Sequence, residues 1–96
     1  MQSWGRLLNE VEVLIRAGRY RDALNKLRSD PNLYNYVVAS MIQALQSYPG
    51  GQIADLNGNI WSTTQLANDL RVGRWRPVHF NFLLAEIGII RRQLGV

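Results

Sequence analysis

Asp30-Pro31 opens, and Pro49-Gly50-Gly51 closes, the stretch that most restricts what this chain can fold into. An aspartate accepts from the first free N–H groups of a helix. A proline in the next position has its φ already set and lacks only an N–H that would go unused. Between these marks Tyr34, Val37, Val38, Met41, Ile42, Leu45 and Tyr48 recur at the i, i+3, i+4, i+7 spacing of a helix with one buried face. No Lys or Arg lies in the run, which makes it a poor surface for an anion. It reads as the spine of a core.

Two further helices are expected before it. Trp4, Leu7, Leu8, Val11, Leu14 and Ile15 mark one face of the first, which stops at Gly18. Tyr20, Ala23, Leu24 and Leu27 mark the second. Gly18, Tyr20 and Ala23 at their junction resemble a single tetratricopeptide hairpin; an ordinary antiparallel helix pair is the other reading, since no second copy follows. Ninety-six residues, 47% of them hydrophobic, suffice for a single domain, 1–96, with one core. Such a chain buries roughly two-thirds of its unfolded surface. The absence of cysteine excludes disulfides and thiolate metal sites. No run approaches the ~18 apolar residues of a membrane span and no apolar leader is visible, so a soluble cytoplasmic protein without membrane contact is expected.

After the spine the pattern changes. Asn57-Gly58 between Ile53/Leu56 and Ile60/Trp61 signals a short β-hairpin, with a bare turn as the alternative. Ser62 followed by Gln65 forms a capping-box signature, and Leu66, Ala67 and Leu70 give the helix after it an apolar side. A basic connection, Val72-Gly73-Arg74-Trp75-Arg76, leads to Pro77 at the start of a last helix. There Phe80, Leu83, Leu84 and Ile87 share one face and Gly88 is the expected stop. Ile89 to Arg92 is then free to return as a strand beside the hairpin. Two helices about a tight connection make a helix-turn-helix candidate.

Thr64, Ala67 and Leu70, followed by Asn81, Leu84, Glu86, Gly88 and Ile89, resemble the C-terminal domain of phage antirepressors of the KilA type. The resemblance covers residues 62–89. It implies a winged helix-turn-helix with an incomplete wing, and a DNA-binding regulator of a phage or mobile element. The expected fold is therefore mostly α: a three-helix unit, 1–48, packed on a small winged helix-turn-helix part, 52–96.

The charge distribution agrees with an anionic partner. Net charge is +4, ten of the eleven basic residues are Arg, and residues 71–96 carry five Arg against Glu86 alone. Arg71, Arg74 and Arg76 around Trp75, with His79, Arg91 and Arg92, are the candidate nucleic-acid contacts, gripping duplex DNA through phosphates. The competing reading puts Trp75 in the core and leaves the arginines solvated. His79 reads as a surface or capping histidine, or as a pH-sensitive contact. The last helix is a poor reader of bases, because Val78, Phe82 and Ala85 make its second side apolar as well. That strip packs inside the chain or forms a partner surface, a homodimer seam or a protein-interaction module being the rival function. No catalytic constellation, metal set or cofactor motif is visible, so neither an enzyme nor a small-molecule substrate is expected.

Overall fold

The computed structural model describes residues 3–96, so the first two residues of the expected 1–48 unit lie outside it. Among the described residues the chain is mostly helical with one small antiparallel sheet: α1 (Trp4–Arg16), α2 (Tyr20–Arg28), α3 (Pro31–Gln46), a 3-10 turn (Pro49–Gly51), β1 (Gln52–Ala54), β2 (Ile60–Ser62), α4 (Thr63–Arg71) and α5 (Pro77–Leu94). Helix starts follow from local chemistry. Ser3 Oγ accepts from Arg6 N–H at 3.2 Å, Asp30 Oδ1 accepts from Asn32 and Leu33 N–H, both at 3.1 Å, and Ser62 Oγ accepts from Gln65 N–H at 3.3 Å. Asp30 also accepts from Trp4 Nε1 at 2.9 Å, which ties the start of α1 to the start of α3.

α1 and α2 form a helix pair about Gly18, whose φ of 74° suits the turn, and Lys26 reaches back to Glu10 at 3.1 Å. Leu7, Leu8, Val11 and Ile15 of α1 meet Ala23 and Leu27 of α2 in the core. α3 is the spine, but its most buried line is Leu33, Val37, Met41 and Leu45. Tyr34, Val38 and Ile42 flank that line half-buried, and Tyr48 lies beyond the helix end, 40% exposed. Val37, Met41 and Leu45 lie on the face that the spacing gives, and Leu33, one turn before Val37, completes the buried line.

The hairpin forms as its turn residues demand, with Gln52 opposite Ser62, Ile53 opposite Trp61 and Ala54 opposite Ile60. Gly58 takes φ 81°, and Asp55 closes the turn by accepting from the N–H groups of Asn57 and Asn59 at 2.9 Å each. No return strand joins it. Ile89 to Arg92 are helical, because α5 runs through Gly88 and stops at Gly95, which caps it at φ 73°. Interior glycine costs a helix about 1 kcal/mol. Continuing places Ile90 at 1% exposure on the same line as Leu83 and Ile87, and burying such a side chain is worth about 1.5–3 kcal/mol. Burial outweighs the breaker.

α5 is covered on two sides. Phe80, Leu83, Ile87 and Ile90 enter the core, while Val78 and Phe82, 3% and 7% exposed, are buried on the other side. The ring of Tyr48 meets Phe82 edge-on at 6.2 Å, and the hairpin residues Ile53 and Ala54 border the same cleft. The Val78/Phe82/Ala85 strip is therefore no open partner surface: its two larger members are buried, Phe82 against Tyr48, and only Ala85 is exposed.

Candidate nucleic-acid interface

Asp69 organises the connection between α4 and α5. Its backbone carbonyl accepts from Arg74 N–H at 2.8 Å while Gly73 N–H reaches Leu70 O at 3.1 Å, so Gly73 turns the chain at φ 76° as helix C-terminal glycines do. Its carboxylate, in a residue 6% exposed, accepts from Arg76 Nε at 2.7 Å and faces Arg74 Nη1 at 3.8 Å. The Arg76 guanidinium carbon lies over the Trp61 ring, 4.8 Å from its centroid, and Trp61 Nε1 donates to Asp55 at 2.9 Å. Burial and two contacts thus assign Arg76 to holding the hairpin against α4 and α5. It is not a free phosphate contact.

An arginine without a local sequence signal takes its place. Arg28, at the last turn of α2, donates to the Gly73 carbonyl at 3.2 Å from 45 residues away and stacks over the Tyr34 ring at 5.3 Å. Tyr34 OH accepts in turn from Trp75 Nε1 at 3.1 Å, and Trp75 packs against Phe80 with centroids 5.1 Å apart. Trp75 is half-buried under the connection and packs against the edge of the core. Arg74, its side chain 63% exposed, and Arg71, bonded to Asn68 at 2.6 Å and otherwise open, flank Gly73. Arg74 and Arg76 share the carboxylate of Asp69, which is spent mainly on Arg76, while Arg28 joins the connection at the Gly73 carbonyl and Arg71 bonds to Asn68.

Three expected contacts fall elsewhere. His79 is 1% exposed with both ring nitrogens engaged inside the fold, which removes it from any nucleic-acid surface. It is a capping histidine, and a buried one. Arg91 is held by Glu12 at 2.8 Å and by Asn9, joining α5 to α1. Arg92 is exposed, but Arg91 and Arg92 sit at the far end of α5 from Arg76. Fifteen residues at ~1.5 Å each separate them by about 23 Å. The basic stretch of the sequence is thus two separate sites, and only the connection end is built from several arginines. Reading the chain alone missed Arg28, Tyr34 and the carboxylate of Asp69. No pattern in α2 distinguishes Arg28 from Arg21, and only the path of the chain brings it to Gly73.

No family model, curated protein or solved structure matches the chain. Among the described residues no cluster of three or more His, Cys, Asp or Glu side chains is placed to hold a metal ion, and no helix is long and apolar enough to cross a membrane.

Proposed function

We propose that this chain is a non-enzymatic nucleic-acid-binding module that grips the phosphates of duplex DNA through Arg28, Arg71 and Arg74 at the α4–α5 connection. The observation that carries the reading is the Arg28–Gly73 bond, which adds a distant guanidinium to two exposed ones beside a carboxylate already engaged by Arg76. Guanidinium forks suit phosphate oxygens, and phosphate contacts position a protein without reading sequence. A helix buried on both sides of its first turns cannot enter a major groove with that segment, so weak sequence preference belongs to the proposal. The fold-level part is that α4, the connection and α5 constitute a helix-turn-helix with β1–β2 as an incomplete wing, in the manner of the KilA-type domain. A role as a phage or mobile-element regulator in the cytoplasm follows from that resemblance.

Fluorescence anisotropy against an unrelated pair of duplexes over a range of salt concentrations tests this. At roughly −0.9 per neutralised phosphate, three arginines give a slope of log affinity against log salt of about −2.7, equal for both sequences. Absence of binding at micromolar protein and low salt rejects it.

A protein-interaction module, homodimeric or with another protein, is the second reading. Leu56 and Ile60 favour it, 82% and 61% exposed on the hairpin. Light scattering on Leu56→Glu distinguishes the two: loss of an oligomer with DNA affinity intact would assign the hairpin to a protein partner.

A further inference from the structure

His79 is the only histidine, and its ring bridges two helices. Nδ1 accepts from the Arg76 N–H at 2.8 Å, one of the donors left open at the start of α5. Nε2 lies 2.9 Å from the carbonyl of Leu66, within α4. A backbone N–H can donate only to a bare nitrogen, and a carbonyl can only accept. The ring is therefore neutral, with its proton on Nε2. Between the two attachment points lie the end of α4 and the whole Val72–Arg76 connection.

The charged and titratable groups around the ring act in both directions. Burial is the largest influence and holds the His79 pKa below the ordinary histidine range; the Leu66 bond and Asp69 on α4 work against it, and the charge of the Arg76 guanidinium adds to it. Arg74 faces Asp69 from the connection, Tyr34 on α3 reaches His79 only through Trp75, and Asp55 of the hairpin only through Trp61 and Arg76. The bond at Nδ1 comes from the Arg76 N–H, a donor that a protonated Nδ1 would confront.

We infer that His79 is a pH-operated latch: a proton taken up at Nδ1 breaks the Arg76 bond and frees the first turn of α5, with the connection, from α4. The latch stands on its own geometry. Only its effect on the basic corner rests on the phosphate reading. The sign follows from proton linkage. An opened His79 titrates near its ordinary value of 6.5, above its latched value, so the open form binds more protons between the two. Latching is complete above 6.5 and weakens as pH falls through that window, by up to about tenfold per pH unit in the opening equilibrium.

The test uses the full chain without nucleic acid. Imidazole ¹⁵N shifts should show the Nε2–H tautomer at pH 7.5 and a titration midpoint below 6.5. Protection factors of amides at the start of α5 and of the Trp75 indole N–H should fall by up to about tenfold between pH 6.5 and 5.5, while core amides of α1 and α3 hold. In His79→Gln, which cannot titrate, that local pH dependence should vanish. If the variant does not fold, the wild-type measurements still decide. A midpoint at or above 6.5, unchanged α5 protection, or an equal fall in every helix would each overturn the latch, the last by showing that His79 titrates only on global unfolding. DNA affinity that is flat with pH while the local opening persists would detach the latch from the basic corner and leave the latch standing.

Discussion

Asp69 and its two arginines show how differently neighbouring residues of one type are used. Arg76 donates to Asp69 and covers Trp61 with its side chain 29% exposed; Arg74 faces the same carboxylate at 3.8 Å and is 63% exposed. Removing one partner of a fully buried pair costs ~3–5 kcal/mol, and partial solvation of Arg76 lowers that to about 2–3 kcal/mol for Asp69→Asn. Arg74→Ala should change stability by less than about 0.5 kcal/mol, because exposed pairs contribute little. Urea denaturation of the two variants checks the contrast. Equal losses would mean that Arg74 is as structural as its neighbour, and would remove it from the proposed phosphate contacts.

At the scale of elements, α3 packs against α2, α4 and α5, and its start is over-determined. Asp30 satisfies two backbone donors of α3 and the indole of Trp4 from α1, which keeps its carboxyl below the usual carboxylate range; the Leu33 N–H is the largest cause, then the Trp4 indole. Loss of an N-cap costs about 1 kcal/mol, and a half-buried indole N–H left without its partner adds to that. Asp30→Ala should therefore melt roughly 5–15 °C lower, at about 4–8 °C per kcal/mol for a domain this size. Asp30→Asn, which still caps, should recover most of the difference. An Ala variant melting within about 2 °C of the parent would show that packing alone sets the start of α3.

Across the whole molecule, charge placement matters more than charge. Arg28→Glu and Arg92→Glu lower the net charge of +4 equally, so any general attraction to a polyanion changes alike. The two sites are more than twice the ~10 Å Debye length apart at 0.1 M salt. Arg28→Glu should weaken DNA binding by about tenfold or more, from ~1.5–3 kcal/mol per charged hydrogen bond. Arg92→Glu should change it by less than about threefold, since a surface charge beyond the Debye length is screened. Titrations of both variants at one salt concentration decide the matter, with matched losses pointing to net charge in place of a defined corner.

Local chemistry was legible throughout the chain. Asp30-Pro31, Ser62 and Pro77 mark helix starts and Asn57-Gly58 marks a turn, because caps and turns are settled within about four residues of chain. For Phe82 the sequence left two readings, packing inside the chain or a partner surface, and its burial beside Tyr48 decides between them. The extent of α5 did not follow: Gly88 is a stop by propensity, and only the pocket that receives Ile90 overrules it. The fate of each polar side chain followed least. Arg28 finds a carbonyl, Arg76 a carboxylate and an indole, Arg91 the acid of α1, and His79 a carbonyl within α4. A guanidinium or an imidazole has no preference along the chain comparable to a cap or a turn. Its role is set by whichever acceptor the packed fold brings within hydrogen-bonding distance, and that is decided by tertiary structure alone.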